Sequence, residues 1–419
     1  MNNDNVLEAI LLLCSVFNKT ESRDIKPLTP TEYSRLAAWL HQNKYTPAEF
    51  ITQPEKLLTE WQDPKDKITK IRLTQLLRRG ASMAFALEKW HQQNVQIISR
   101  ASKEYPFSLR EKLKDIRTPL LYCIGNISLF DTESIGFVGS RDIDIKDENY
   151  TKTLAQQSVK QGFTVVSGGA KGIDQVAMKS AIDEGGNVIG ILADSLLKAA
   201  TKSEYREALK ENRLLLVSPY YPEAGFSVGN AMSRNKYIYA LSKGVVVAKS
   251  GDKGGTWNGA VENLKKQWVP LWVRNIDQTG NIKLIERGGY AITESKVDFK
   301  KLQTTFSFKI TNTPSHNSNA LQSLKNQQQD IFAYNKETEK NNDFKVKDEL
   351  KPVSNPELEP FVNFFYQQIL KEKDKIFIPK DIALEFPDLN ETIIKKWFDK
   401  LEEQGLVRRK GRKLAYTLC

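Results

Sequence analysis

Residues 134–174 read SIGFVGSRDIDIKDENYTKTLAQQSVKQGFTVVSGGAKGID, from Ser134 to Asp174. The spacing predicts strand, glycine turn, helix, strand, glycine turn and the start of a second helix. Ile135–Val138 is a short apolar run that stops at Gly139-Ser140-Arg141. Val159 and the apolar positions before it suit one face of a helix ending at Gly162. Phe163–Val166 then supplies a second buried strand, which runs into Ser167-Gly168-Gly169-Ala170-Lys171-Gly172. Apolar strands joined by a helix imply a parallel βαβ unit covered on both faces. Ligands of such sheets bind beyond the carboxyl ends of the strands, where both glycine loops fall. Each loop presents backbone N–H groups near a helix start and carries one cation, Arg141 or Lys171, a combination suited to phosphate. The competing reading is that the glycines only make tight turns.

At 419 residues the chain has room for about two to four domains, and its net charge of +11 favours polyanionic partners, nucleic acid before acidic membrane. Cys14, Cys123 and Cys419 are odd in number and far apart, so neither a disulfide framework nor a zinc site is expected, and a reducing cytoplasm is. The run Ala9–Val16 is short and lacks a basic stretch before it, which reads as a core helix rather than a signal peptide or membrane span. His41, His91 and His316 are scattered, so no metal site and no histidine-based catalysis is expected.

Residues 1–100 are expected to be a helical domain, with helices over Val6–Phe17, Thr31–Gln42, Thr46–Thr59 and Ile68–Gln93. Thr29, Thr31 and Thr46 are start signals, and Pro30 and Pro47 suit first-turn positions. Residues 101–299 are expected to form a Rossmann-like α/β domain. Leu120–Ile124 is its first strand, and Asn187–Ala193, Leu214–Val217, Gly244–Lys249 and Val269–Val273 extend the sheet. Helices are expected at 173–184, 202–211, 230–242 and 256–267. This strict alternation is the signature of a doubly wound parallel sheet. Residues 300–355 are rich in Asn, Gln, Ser, Lys and Glu and read as a polar linker. Residues 356–419 are expected to form a winged-helix domain, with helices at Phe361–Leu370, Ala383–Phe386 and Asn390–Gln404. Its hairpin wing carries Arg408, Arg409, Lys410, Arg412 and Lys413, which make either a secondary DNA contact or part of a protein-docking module.

The dinucleotide fingerprint is missing, because the first turn has one glycine and no acid ends the second strand. A Walker loop is missing too. Two further loops are expected at the same sheet edge: Gly229 to Lys236, which carries Arg234 and Asn235, and Ser250 to Trp257, which carries Lys253, Gly254, Gly255 and Thr256. Arg234 can grip a phosphate bidentately, Asn235 can hydrogen-bond a base or the backbone, and Lys253 with its glycine turn makes a further anion nest. Together these loops predict an extended phosphate-binding groove.

The combination of Val138-Gly-Ser-Arg141, Val166-Ser-Gly-Gly-Ala-Lys-Gly-Ile-Asp174 and Gly229-Asn…Arg234-Asn-Lys-Tyr-Ile-Tyr-Ala-Leu-Ser242 resembles the DprA/Smf family of bacterial DNA-processing proteins. EYPFSLREKLKD followed by PLLYCIGN looks like that family's lead-in to the sheet. The resemblance covers about residues 100–275. It implies single-stranded DNA binding and loading of a RecA-type recombinase during DNA uptake and transformation. It places Arg141, Lys171, Arg234 and Asn235 on DNA-contacting loops shaped by Gly139, Ser140, Gly168, Gly169 and Gly172, and Lys236, next to the Arg-Asn pair, is a further candidate for phosphate binding. Two departures stand out: Ala231-Met232-Ser233 precede the Arg-Asn pair, and Gly254-Gly255-Thr256-Trp257 is similar to the phosphate loop of ligand-sensing and LOG-type Rossmann proteins.

The leading expectation is thus a cytoplasmic, non-catalytic, DprA-like protein that binds single-stranded DNA, with no cofactor, a homodimer as its assembly and no membrane contact. Its protein partner is expected to be a RecA-type recombinase or, in the alternative, a toxin or phage-defence component. A nucleotide-sensing protein built on Gly254-Gly255-Thr256 is the second class. A LOG-like phosphoribohydrolase using Glu262 is the third.

Overall fold

Thr29 opens a capping box with Glu32, and Pro30 takes the first helical position, so the backbone starts a helix where its N–H groups already have partners. The computed structural model describes residues 2–18, 25–293, 296–303, 366, 377–379, 391–409 and 415–418. Its N-terminal part is helical: α1 (Asn2–Cys14), α2 (Pro30–Gln42), α3 (Glu49–Thr52), α4 (Pro54–Glu60), α5 (Lys70–Leu77) and α6 (Gly80–Gln92). The single helix expected over Ile68–Gln93 is corrected to two. Arg78 and Arg79 leave helical geometry between them, and Arg79 turns inward. Its buried guanidinium donates to the carbonyls of Leu12, Ser15 and Leu76, closing the ends of α1 and α5.

Nine strands follow in one sheet: β1 (Gln96–Ser99), β2 (Leu120–Gly125), β3 (Ser134–Val138), β4 (Thr164–Ser167), β5 (Val188–Ile191), β6 (Leu214–Ser218), β7 (Gly244–Val247), β8 (Leu271–Arg274) and β9 (Tyr290–Ile292). Their spatial order is β1-β2-β6-β5-β4-β3-β7-β8-β9. From β6 to β9 all neighbours are parallel, whereas β2 runs antiparallel to both β1 and β6. The expectation of a wholly parallel sheet is corrected at that edge. The sheet also begins earlier than the expected boundary at residue 101, because Gln96–Ser99 pairs with Cys123–Leu120.

Strand side chains alternate between two cores. Tyr122, Phe137, Val165, Val188, Leu216, Val246 and Trp272 face one layer; Cys123, Val166, Ile189, Leu215, Val247 and Val273 face the other. The first layer is covered by α8 (Ile145–Lys160) and α9 (Ile173–Asp183), reached after α7 (Phe107–Leu113), and by α10 (Leu196–Ala200) and α11 (Ser203–Lys210). The second is covered by α7, α12 (Val228–Leu241), α13 (Gly254–Lys266) and α14 (Thr279–Glu286). The helical part joins the first layer directly, with the Trp90 and Tyr122 rings edge to face at 5.3 Å. Ser15 and Tyr122 share a hydroxyl–hydroxyl hydrogen bond of 2.6 Å.

Near the C-terminus, α15 (Glu391–Glu403) packs on the antiparallel pair β10 (Val407–Arg409) and β11 (Tyr416–Leu418), with Phe398 stacked on Tyr416 at 4.4 Å. The expected helix Ala383–Phe386, the tip of the wing and, apart from residues 300–303, the polar linker lie outside the described residues. So does the expected helix Phe361–Leu370, apart from Tyr366.

Candidate nucleic-acid interface

Sheet order places β3 between β4 and β7, and the crossover helices differ in face: α8, which joins β3 to β4, packs on one layer, and α12, which leads into β7, packs on the other. The carboxyl end of β3 is therefore the topological switch point, where an open α/β sheet has its crevice. The loop after β3 carries Gly139, Ser140 and Arg141; the loop after β4 carries Gly168, Gly169, Lys171 and Gly172. The loop after β7 ends in Lys253, which stands at the N-cap position of α13 with no capping hydrogen bond from its side chain. Hydrogen bonds tie these loops together. Ser140 N–H donates to the Lys249 carbonyl at 2.9 Å, Ile173 N–H to the Ser140 carbonyl at 3.2 Å, and the Thr256 hydroxyl to the Gly139 carbonyl at 2.9 Å.

The nests are filled from inside. Asp174 lies at the start of α9, 7 % exposed, and its carboxylate accepts from the backbone N–H groups of Ala170, Gly168 and Gly139. Burial pushes its pKa up to about 6, with the Arg234 charge and those three N–H groups pulling the other way. Arg234 itself is 4 % exposed. Its NH1 donates to the Ile191 carbonyl at 2.6 Å and stands 3.9 Å from Asp174, while its Nε has no hydrogen-bond partner among the described residues. A Cβ on Gly168 would lie 1.5 Å from that guanidinium nitrogen, so the glycine makes room for the arginine. Gly172, at φ +88°, has the Ser140 carbonyl where a Cβ would be, at 2.3 Å. Gly169 takes φ +65° in the same turn.

These contacts correct part of the sequence reading. Arg234, Asn235 and Lys236 lie within α12, not in a loop, because Ser227 caps the helix at Asn230 and starts it at Val228. Arg234 points into the protein rather than to a phosphate. Asn235 donates to the Gly255 carbonyl at 3.1 Å, and Lys236 Nζ to the Ile116 carbonyl at 3.0 Å, with burial lowering its pKa. Thr256 spends its hydroxyl on Gly139, and Gly254 (φ +91°) and Gly255 fall in the first turn of α13. Glu262 stands exposed further along that helix. Trp257 lies under the Arg287 guanidinium at 5.1 Å.

What stays outward is a row of cations. Arg141, Lys171 and Lys253 are exposed on the loops after three adjacent strands, β3, β4 and β7, and none has a carboxylate within ion-pair distance among the described residues. The loops that carry them leave neighbouring strands, so the three cations share one edge of the sheet. Arg141 lies over the ring of Phe226, 5.4 Å from its centroid, and that ring is 56 % exposed. Phe226 had no assigned role in the sequence reading; an aromatic at the end of a loop rich in Pro, Gly and Ser was its only signal. Beside the row, Asp147 binds Lys249 and Arg274 at 2.7 Å each, which removes those two cations from the outward charge. Arg408 and Arg409 are exposed on β10, while Lys410, Arg412 and Lys413 lie outside the described residues.

With this geometry in view, the profile of the family described as DNA recombination-mediator protein A matches residues 96–303. DNA processing protein DprA of Bacillus subtilis is 27% identical over 276 residues, which cover 60% of this chain and 91% of that one. The chain belongs to the DprA/Smf family. Protein Smf of Synechocystis is 30% identical over 176 residues, 40% of this chain and 43% of that protein's length. The solved structure of DprA from Streptococcus pneumoniae superposes with a TM-score of 0.54 at 19% identity, covering 67% of this chain and 96% of that one, and so shares the fold. The domain matched to the DprA/Smf profile starts at Gln96, the first residue of β1. Among the described residues no helix is long and apolar enough to cross a membrane.

Proposed function

We propose that the protein is a non-catalytic DNA-processing protein that captures single-stranded DNA along the carboxyl edge of its sheet, as a recombination mediator of the RecA-loading type in DNA uptake. The observation that carries this reading is the unpaired row Arg141, Lys171 and Lys253, with Phe226 exposed beneath Arg141. Three exposed cations supply sequence-independent attraction, and an exposed aromatic offers a stacking face to any base. Family membership supports the same reading, with a homodimer and a RecA-type recombinase as partners and a cytoplasmic setting. The pairing of α15 with the β10–β11 ladder, bridged by Phe377 to Tyr416, supports a winged-helix module at the C-terminus. Thr256 already donates its hydroxyl proton to Gly139, which weighs against the nucleotide-sensing alternative. Electrophoretic mobility shifts with single- and double-stranded oligonucleotides of equal length test the proposal. Tighter binding of the single strand is expected; equal or tighter binding of the duplex overturns it.

A further inference from the structure

A cavity of about 260 Å³ lies at the seam between the helical part and the sheet. Its floor is the end of α1, where Ser15 meets Tyr122, and its walls are Pro119, Pro219, Tyr220 and Tyr221. Asn230, in the first turn of α12, closes the remaining side. At this size the cavity falls just below the range of about 300–1,000 Å³ that holds drug-sized ligands, so it fits a single ring system rather than a whole nucleotide. Aromatic and proline walls with few polar groups suit a flat apolar face. The polar groups are mostly committed. Ser15 is bonded to Tyr122, Thr118 donates to the Leu120 carbonyl, and Tyr220 donates to the Asn230 carbonyl at 3.0 Å. The Asn230 carboxamide has no hydrogen bond among the described residues, and it offers a donor and an acceptor side by side. Such a pair complements the edge of a nucleobase.

The position of the cavity connects it to the outward row. One loop, residues 219–227, supplies both the wall residue Ala224 and the exposed Phe226 under Arg141. Two residues of chain span at most about 7 Å, so a base beside Phe226 is within reach of the cavity mouth. We propose that this cavity takes the planar ring of one nucleobase, with the Asn230 carboxamide on its edge and the tyrosines on its faces. The base comes from the captured strand, which rests on the proposed single-stranded DNA binding; a free nucleoside presents the same ring.

The test uses the full chain and an oligonucleotide whose only base is 2-aminopurine, its other sugars abasic. On binding to the parent protein its emission is expected to be quenched. Ala224→Leu, which fills the cavity, is expected to abolish the quenching and lower affinity about tenfold, within the range of one lost base stack. Asn230→Leu serves where Ala224→Leu does not fold, and the same fall in affinity is expected of it. Arg141→Ala is expected to weaken binding yet leave quenching intact at saturation, because the phosphate contact and the base contact are separate. Quenching and affinity unchanged in both cavity variants overturn the cavity proposal while strand capture stands. If no oligonucleotide binds, strand capture falls, and free 2-aminopurine riboside decides the cavity. Binding to the parent but not to Ala224→Leu upholds it, and binding to neither overturns it.

Discussion

Asp174 accepts from three backbone N–H groups of the glycine loops and stands 3.9 Å from a buried Arg234, so the donors that glycine turns offer an anion are already held by a side chain of the chain itself. Arg234 is consequently a structural group. Arg234→Met leaves Asp174 buried without its cation, and the fold is expected to lose about 3–5 kcal/mol, read from urea denaturation. The pH dependence has a definite sign. Asp174 sits at about 6 against an ordinary value of 3.8. Between those values the folded chain keeps a proton that the unfolded chain has released, so its contribution to stability falls as pH rises through that window. Asp174→Asn should remove this fall. An unchanged slope between about pH 4.5 and about pH 6.5 would show that another group is responsible. None of this was legible in the motif, since Arg234, Asp174 and Ile191 meet only through the folded sheet. What the sequence did contain was Gly168, whose missing side chain is the space the guanidinium fills.

At the scale of the element, α8 shows how a helix start organises the crevice. Asp144 caps it and Asp147 completes the capping box, while Asp147 also binds Lys249 from the end of β7 and Arg274 from the end of β8. Burial alone would raise the Asp147 pKa, but the Lys249 bond, the Asp144 N–H and the Arg274 bond outweigh it and hold the value below 3.8. A lowered carboxyl contributes stability that is present above its unfolded value and lost as pH falls through the folded one. Acid unfolding below about pH 4 is therefore expected to be shallower in Asp147→Asn than in the parent, as followed by circular dichroism. Strand runs such as Phe137-Val138 and Val165-Val166 were legible because both faces are buried and apolarity is continuous. The edge strand Gln96–Ser99 was not, because it is four residues long, begins with a polar residue and follows a helix directly. Tyr290–Ile292 was missed for a similar reason: it is three residues long and pairs on one side only, with β8.

Across the whole molecule, one apolar layer runs from α1 through Trp90 and Tyr122 into the sheet, so the helical part is a cover for the α/β domain as well as a unit of its own. That continuity could not be read from residues 1–100, whose helical spacing says which faces are apolar but not what they meet. The net charge of +11 suggested a polyanion, and the fold shows which cations at the crevice remain available once Arg234, Lys236, Lys249 and Arg274 are spent internally. The central claim is that Arg141, Lys171 and Lys253 hold the strand. It is tested most directly by titrating single-stranded DNA at several salt concentrations with the parent, each single alanine variant and the triple variant, beside a thermal melt. Each removed cation is expected to lower the slope of log affinity against log salt by about 0.7, with the melting temperature nearly unchanged and most affinity lost in the triple variant. A triple variant that binds with the parent's affinity and the parent's slope would contradict the account.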